Sequence, residues 1–283
     1  MTASHLQQAA RAIQAADGLV IAAGAGMGVD SGLPDFRGKQ GFWKAYPVVA
    51  RLGLTFAAMA NPVWFENDPE LAWAFYGHRL NLYRQTTPHA GFGKLLKWAA
   101  GKPAGYFVFT SNVDGHFQKA GFSPEQIEEC HGSIHHFQCL RGCARSIWDA
   151  SEEKVTVDET AFRAMSPLPR CRHCDGMARP NIMMFGDFSW LSERSQEQQK
   201  RFARWLQQLR EKSARLAVIE LGAGTTIPTV RHASERLVER FGGTLIRINL
   251  READVPPGHF GLATGALQGL QLLEEIMNSG MRV

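Results

Sequence analysis

A glycine-rich segment that directly follows a short apolar run constrains the fold of this chain most. Residues 19–23 are Leu-Val-Ile-Ala-Ala, a run that predicts a parallel strand buried on both faces. Gly24, Gly26 and Gly28 let the backbone approach a ligand closely and present N–H groups to phosphate. The dinucleotide fingerprint G-x-G-x-x-G would place its third glycine where Val29 stands, so the usual dehydrogenase turn is not predicted. A glycine-rich surface loop is the alternative.

Three later apolar runs, at residues 106–110, 216–221 and 244–250, predict further strands. Each is followed by polar or glycine-containing sequence, as expected for buried strands that carry ligand groups at their carboxyl ends. Helical patterns at residues 4–16 and 193–212 alternate with these strands. The alternation predicts an α/β fold with a doubly wound, Rossmann-like parallel sheet.

Two stretches interrupt this alternation. Residues 39–85 have a helical pattern rich in aromatic side chains, and residues 134–178 hold two close pairs of cysteines. We interpret both as insertions, one helical and one zinc-binding, that together form a smaller module beside the sheet. The NAD-binding domain would then comprise residues 1–38, 86–133 and 179–283.

The four paired cysteines have the spacing of a metal site. Cys139 and Cys143 form a C-x3-C pair, and Cys171 and Cys174 form a C-x2-C pair. Two tight pairs bring four thiolates around one ion, and a tetrahedral set of sulfurs favours Zn²⁺. Such a site has no open coordination position, so we expect it to be structural. Four unliganded thiols are the alternative, and Cys130, outside the pairs, is expected to be a free thiol.

The composition restricts the classes of partner. Of the 283 residues, 45% are hydrophobic and 20% are charged, and the formal net charge is +4. These values are ordinary for a globular protein, and no dense basic run indicates a nucleic-acid partner. No apolar run is long enough to span a bilayer, and the first residues lack a signal-peptide pattern. Because paired cysteines also suit a reducing compartment, we expect a cytoplasmic protein without a membrane partner.

Polar side chains follow the predicted strand at residues 106–110. Asn112 and Asp114 would project from its carboxyl end, beside the glycine-rich segment. An amide can orient a ribose or a water molecule, and a carboxylate can accept hydrogen bonds from a carboxamide. An Asx-type turn that caps the strand is the alternative.

These residues lie in motifs that resemble those of the sirtuins, the NAD-dependent protein deacylases. The sirtuin loop G-A-G-x-S-x-x-S-G-I-P-D-F-R matches residues 24–37, except that Gly28 replaces its first serine and Leu33 its isoleucine. The sirtuin motif T-Q-N-[IV]-D matches residues 110–114, except that Ser111 replaces the glutamine. The resemblance implies NAD and Zn²⁺ as cofactors. It implies NAD contacts at Gly24, Ala25, Gly26, Asp35, Phe36, Arg37, Ser111, Asn112, Asp114, Gly222 and Asn249.

The resemblance also implies the catalytic residues. Residues 129–132, Glu-Cys-His-Gly, correspond to the sirtuin histidine–glycine motif, so His131 is the implied general base, with Asn112 as a second catalytic residue. In the implied reaction, the acyl-lysine carbonyl oxygen attacks the ribose carbon of NAD as nicotinamide leaves. His131 then activates a ribose hydroxyl, and water completes the transfer. The products would be nicotinamide, free lysine and O-acyl-ADP-ribose.

A Y-x-x-R pattern is found in sirtuins that remove acidic acyl groups, and here it is formed by Tyr76 and Arg79. Residues three apart share a helix face, and arginine pairs bidentately with a carboxylate. The resemblance therefore implies a preference for succinyl-, malonyl- or glutaryl-lysine. An ordinary helix surface is the alternative.

Residues 179–187 resemble the sirtuin segment R-P-x-[VI]-x-x-F-G-E, whose extended backbone pairs with the substrate peptide. The acylated-lysine protein substrate is therefore implied to contact Ile182, Phe185 and Gly186. A plain apolar core strand is the alternative.

The sequence as a whole predicts an NAD-dependent protein-lysine deacylase. Two alternatives stay open: a mono-ADP-ribosyltransferase or NAD glycohydrolase on the same scaffold, and an NAD-sensing protein with weak catalysis. Ser111 favours the first alternative, as does the Gly-Ala-Gly sequence at residues 222–224 where sirtuins have Gly-Thr-Ser.

Overall fold

A six-stranded parallel sheet lies at the centre of the computed structural model, which describes residues 3–34 and 38–279. All five strand pairings in this sheet are parallel. From edge to edge the strands are β3 (Ile127–Glu129), β2 (Tyr106–Thr110), β1 (Gly18–Ala23), β9 (Leu216–Leu221), β10 (Thr244–Ile248) and β11 (Phe260–Leu262).

Both faces of this sheet are covered by helices. Leu19 and Ile21 of β1 pack into one core, and Val20 and Ala22 pack into a second core on the opposite face. Because alternate side chains of a strand point to opposite faces, the continuous apolar run at residues 19–23 serves both cores. The first face carries α1 (Ala3–Ala15), α7 (Ala90–Ala100) and α11 (Ala266–Ser279), and the second carries α9 (Glu193–Glu211) and α10 (Thr229–Phe241). The predicted doubly wound α/β fold is confirmed.

The predicted strand at residues 244–250 is too long by two residues. Strand β10 ends at Ile248, and Asn249 follows it with a fully buried side chain. The Asn249 side-chain oxygen accepts hydrogen bonds from the backbone N–H groups of Arg251 and Glu252, at 3.1 and 3.2 Å. This local bonding turns the chain away from the sheet, as asparagine commonly does in turns.

The remaining elements form a smaller module with an antiparallel sheet. That sheet has the order β5 (Ile147–Asp149), β4 (Gly132–Cys139), β8 (Ala178–Ile182), and a separate hairpin pairs β6 (Val157–Asp158) with β7 (Arg163–Ala164). The helices of the module are α2 (Gly38–Ala45), α3 (Pro47–Arg51), α4 (Phe56–Met59), α5 (Trp64–Asn67) and α6 (Pro69–Gln85). The short helix α8 (His116–Lys119) follows β2.

One hydrophobic core joins the two inserted stretches. Phe42 and Trp73 from the helices share it with Phe137 and Trp148 from the small sheet. The small sheet extends past both ends of the predicted insertion at residues 134–178, because β4 begins at Gly132 and β8 ends at Ile182. The division into an NAD-binding domain and a two-part small module, with the boundaries given above, remains our proposal.

Helix α6 carries Tyr76 and Arg79 and is fixed at both ends. Asp68 caps its start, because the carboxylate accepts a hydrogen bond from the N–H of Leu71 at 3.1 Å. The Lys119 ammonium group donates to the carbonyl oxygens of Arg84 and Thr86, at 2.7 and 2.8 Å, where the helix ends. In the part of the chain that the structure describes, no helix is both long and apolar enough to cross a bilayer.

Candidate active site

A cavity of about 730 Å³ lies at the carboxyl ends of the central strands. In open α/β sheets, ligands bind at this edge, where the strand order changes direction, and here that point is β1 with its neighbours β2 and β9. The cavity is lined by residues from both the sheet and the small module, among them Gly24, Ala25, Tyr76, Arg79, Ser111, Asn112, Asp114, His131, Ile182 and Phe185.

The glycine-rich segment is packed backbone against backbone on the loop that follows β9. The N–H of Gly26 donates to the carbonyl oxygen of Gly222 at 3.0 Å. Gly222 has a φ of 61°, and a Cβ atom there would lie 2.4 Å from the Gly26 backbone. A Cβ at Gly24 would lie 2.8 Å from the Cα of Ala223. These glycines therefore let two loops meet at the rim of the cavity, which is the close approach that only glycine permits. Asp35, Phe36 and Arg37 lie outside the described residues.

Asn112 connects the ends of β1 and β2. Its side-chain Nδ2 donates to the carbonyl oxygen of Gly24 at 3.0 Å. Its backbone N–H donates to the Thr110 hydroxyl at 3.0 Å, and that hydroxyl donates to the carbonyl oxygen of Ala23 at 3.1 Å. Ser111 lies between them and also lines the cavity. The predicted position of Asn112 beside the glycine-rich segment agrees with the structure.

Asp114 forms the Asx-type turn that the sequence left as the alternative. Its Oδ1 accepts a hydrogen bond from the N–H of His116 at 2.9 Å, at the start of α8. The carboxyl group nonetheless lines the cavity while being only 8% exposed. Desolvation by burial raises the pKa of Asp114, although the nearby His116 opposes this effect. A buried carboxyl group at the cavity wall is suited to hydrogen bonding with a polar ligand.

His131 lies at the cavity wall, just beyond the end of β3. Its carbonyl oxygen accepts a hydrogen bond from the N–H of Met183 at 3.0 Å, which ties it to the segment after β8. Desolvation lowers the pKa of the His131 imidazole, so the ring is neutral at physiological pH. A neutral imidazole in a cavity is able to accept a proton.

Arg79 and Tyr76 both line the same cavity from α6. The Nε and Nη2 atoms of Arg79 donate to the Tyr83 hydroxyl at 3.1 and 2.8 Å. The guanidinium carbon lies 5.2 Å from the Phe75 ring centre and 5.7 Å from that of Phe56. The Tyr76 hydroxyl is buried and has no hydrogen-bonding partner among the described residues. Sequence reasoning missed Tyr83, although its position four residues after Arg79 on one helix was a usable signal.

A buried ion pair joins β8 to the segment that follows it. Arg179 pairs with the Asp187 carboxylate, and neither side chain has measurable exposure. Asp187 also accepts hydrogen bonds from the N–H groups of Met184 and Ser189, at 3.4 and 3.0 Å. The strand alternative holds for β8 only in part, because all its residues are buried but Arg179 and Asn181 are polar, whereas Phe185 beyond it is 40% exposed.

Of the three residues predicted to contact the substrate, Ile182 and Phe185 line the cavity. Gly186, with a φ of 66°, is not among the residues that line it. The structure therefore brings two of these three residues to the cavity wall.

The side chain of Asn249 forms hydrogen bonds with two loops. Its Nδ2 donates to the carbonyl oxygen of Ala223 at 2.6 Å, in addition to the two bonds that its oxygen accepts. Asn249 borders a second, small cavity of about 80 Å³, together with Gly26 and Gly222. Sequence reasoning also missed Glu252, which lines the main cavity and accepts a hydrogen bond from the N–H of Thr225 at 3.1 Å.

The four paired cysteines converge as predicted. Their sulfur atoms all lie within 4.8 Å of one another, and none forms a disulfide. The Sγ atoms of Cys139 and Cys174 are 3.8 Å apart, and those of Cys143 and Cys171 are 3.6 Å apart. Sulfurs bound tetrahedrally to zinc at about 2.3 Å lie about 3.8 Å from each other, so this donor set fits a structural Zn²⁺.

Comparison with models of known protein families identifies the family of this chain. The model of the Sir2 family matches residues 24–209, which include the glycine-rich segment, His131 and all four paired cysteines. The chain belongs to the Sir2 family. The predicted resemblance to sirtuins is confirmed.

Curated relatives of this Sir2-family chain carry two kinds of name. An NAD-dependent protein deacylase of Thermus thermophilus is 28% identical over 275 residues, which cover 95% of this chain and 94% of the relative. A probable bifunctional ADP-ribose hydrolase/ADP-ribosyltransferase of Fusarium oxysporum f. sp. cubense is 29% identical over 258 residues, which cover 86% of this chain and 42% of that protein.

Solved structures support the fold of this Sir2-family chain. A complex of a Sir2 homologue with NAD is 24% identical, with a TM-score of 0.70, over 96% of this chain and 94% of the other. A structure described as addressing sirtuin substrate affinity has a TM-score of 0.68 at 22% identity, over 99% of this chain and all of the other. The cavity of this chain fits NAD, because glycines at its rim, a buried carboxyl group and a neutral histidine meet at the edge where a Rossmann-like sheet binds nucleotides.

Proposed function

We propose that this Sir2-family chain is an NAD-dependent protein-lysine deacylase that releases nicotinamide and O-acyl-ADP-ribose. One observation carries the proposal: His131, Asn112 and Asp114 line a single cavity together with the glycine-rich segment. The names of the deacylases to which the chain is similar support the same activity.

The described residues that would hold NAD line the main cavity or border the small second cavity beside it. We assign the pyrophosphate to the backbone of Gly24, Ala25 and Gly26 and the nicotinamide to Asp114, whose carboxyl group can accept from a carboxamide. Ser111, Gly222, Asn249 and the predicted contacts Asp35, Phe36 and Arg37 complete the proposed set. When bound, NAD supplies the ribose carbon to which the acyl oxygen is transferred as nicotinamide departs.

In the proposed reaction, residues of this chain position the glycine-rich segment and accept the proton of a ribose hydroxyl. Asn112 keeps the glycine-rich segment against the end of β2 through its bond to the Gly24 carbonyl oxygen. His131, held neutral by burial, accepts the proton of a ribose hydroxyl at its ring nitrogen.

The acylated lysine of a protein substrate would enter beside Ile182 and Phe185. Phe185 and Met183 are 40% and 43% exposed, so the segment after β8 presents apolar side chains at the cavity. We propose that an extended substrate peptide pairs with this segment by strand addition, with Gly186 at its end.

We further propose a preference for acidic acyl groups. The Arg79 guanidinium and the buried Tyr76 hydroxyl, which no other described residue bonds, line the cavity from one face of α6. A carboxylate on the acyl chain can accept hydrogen bonds from both groups. Burial raises the pKa of Tyr76, so its phenol remains a donor.

Replacing Arg79 by Met is expected to lower kcat/KM for a succinyl-lysine peptide about 10- to 100-fold and for an acetyl-lysine peptide less than about threefold. The reason is that a charge-assisted hydrogen bond is worth about 1.5–3 kcal/mol and only the succinyl group offers a carboxylate. Arg79→Lys is the matched variant, which keeps the charge but loses the planar fork. Equal losses on both peptides would contradict the acidic pocket.

The deacylase proposal is tested by incubating the chain with NAD and acetyl- or succinyl-lysine peptides and identifying all products by mass spectrometry. Peptide-dependent O-acyl-ADP-ribose is the expected product. ADP-ribosylated protein, or free ADP-ribose formed without peptide, would favour the second candidate, ADP-ribosyl transfer or NAD hydrolysis. The name of the Fusarium relative and Ser111 in place of glutamine are the observations that favour it. Binding of NAD without turnover would indicate an NAD sensor.

A cytoplasmic location remains a proposal. It is supported by the four clustered cysteines, which form no disulfide and therefore suit a reducing compartment.

A further inference from the structure

His89 lies between the glycine-rich segment and α7, outside the residues assigned above. It is 9% exposed, and its backbone N–H and both ring nitrogens form hydrogen bonds. Its backbone N–H donates to the Ser31 hydroxyl at 2.9 Å, and its ring Nε2 lies 3.0 Å from the carbonyl oxygen of Met27. The N–H of Gly91, in the first turn of α7, donates to ring Nδ1 at 3.0 Å. His89 thus connects two short 3-10 turns of the segment, Ala25–Met27 and Val29–Ser31, to helix α7.

The partners of the imidazole define its protonation state. Because Nδ1 faces an N–H donor, it must carry a lone pair. Because Nε2 faces a carbonyl oxygen, it must carry the hydrogen. The ring is therefore neutral, with its proton on Nε2. A second proton would go to Nδ1 and would remove the bond from Gly91.

The imidazole ring is closely packed between its neighbours. A Cβ at Gly91 would lie 2.5 Å from the His89 Cε1 atom and 2.7 Å from its Nδ1. On the other side, the Phe92 ring centre lies 5.0 Å from the imidazole centre. The imidazole therefore occupies a slot that exists because residue 91 is glycine.

We propose that His89 is a positioning residue for the nucleotide, because its neutral imidazole holds the Met27 carbonyl oxygen and its backbone N–H holds the Ser31 hydroxyl. The inference rests on the proposed function, which assigns Gly24, Ala25 and Gly26, directly before Met27, to NAD. His89 touches no reacting group and acts through its hydrogen bonds to Met27, Ser31 and Gly91.

The same arrangement makes the segment sensitive to pH. Burial lowers the pKa of His89, and His116 lowers it further, whereas the bond to Met27 and the nearby Asp30 carboxylate oppose this shift. The amino-terminal end of α7 also disfavours a cation at this position. The connection to α7 through Gly91 is therefore complete above the pKa of His89 and is lost as the pH falls through it, whereas Nε2–H still donates to Met27.

Three substitutions of His89 distinguish the contributions of the hydrogen bonds at its two ring nitrogens. His89→Asn keeps an acceptor near Nδ1 for the Gly91 N–H but does not reach Met27. His89→Gln places an amide donor near the position of Nε2 and cannot titrate. His89→Ala removes both the acceptor at Nδ1 and the donor at Nε2. We would measure NAD affinity by calorimetry between about pH 8 and pH 5, melting temperature, and hydrogen exchange of residues 24–32 without NAD.

His89→Asn is expected to melt like the wild type but to bind NAD about fivefold more weakly, the usual worth of one hydrogen bond, with faster exchange in residues 24–32. His89→Gln should bind NAD like the wild type at about pH 8 and lose less affinity on acidification. Wild-type affinity and exchange in His89→Asn would overturn the inference, as would an unchanged pH dependence in His89→Gln. Absence of NAD binding by the wild-type chain would instead overturn the proposed function.

Discussion

Replacing His131 by Ala is expected to lower turnover about 10²- to 10⁴-fold while leaving most of the NAD affinity intact. General base catalysis usually contributes a factor of this size. Binding should persist because the glycine-rich segment, Asn112 and Asp114 line other parts of the cavity wall. The measurement is steady-state release of nicotinamide, together with NAD affinity by calorimetry.

The pH profile gives a second test of His131. Because burial depresses its pKa, the acid limb of the wild-type rate should fall below the ordinary imidazole value of about 6.5. The base is active above its pKa and is lost as the pH drops through it. His232→Ala, at a position on α10 outside the cavity wall, is the matched control and should keep full activity. Near-normal turnover in His131→Ala would remove this residue as the base.

Replacing Cys171 by Ser is expected to release the metal and unfold the small module. A structural zinc site contributes folding free energy directly, typically about 10 kcal/mol or more, which exceeds the stability of most domains. Cys171 is buried beside the β4–β8 sheet, so its loss also affects the core that supports α6.

Zinc content of the purified protein and its thermal unfolding profile measure this effect. Cys130→Ser is the control, because Cys130 lies outside the group of four sulfurs and should leave the zinc content unchanged. A wild-type chain without zinc, or a Cys171→Ser variant with an unchanged melting profile, would show that the four thiols hold no structural ion.

Much of the sheet was predictable because its strands are apolar runs in the sequence. Residues 106–110 and 216–221 form strands with those bounds, and each is buried along its whole length. The exception is Arg247 in β10, which a sequence pattern would place at the surface. It is buried because Glu220 stands opposite it on β9 and Glu235 reaches it from α10. Such a pairing joins residues that are distant in sequence, so no local pattern reveals it.

The site was predictable where a strand end fixes a side chain and less so where loops meet. Asn112 lies two residues after the end of β2, and its bond to Gly24 results from two parallel strands that end side by side. The amide of Asn249 instead binds the loop at Ala223, which depends on how the chain turns after β9. Similarly, the role of Gly222 depends on the backbone of Gly26 lying against it. Loop-to-loop contacts of this kind require the assembled structure.

On the ribosome, the aromatic helices of residues 39–85 emerge before the strands that complete their shared core. Until β4, β5 and β8 have been synthesised, the helix surface that packs on the small sheet, such as the face of Trp73 that contacts Phe137, stays exposed, and the nascent chain is prone to aggregate. The small module is therefore assembled late, from two pieces of one polypeptide. Fragments that end before residue 178 should be recovered as inclusion bodies. A chain that contains both stretches can complete the shared core of the module.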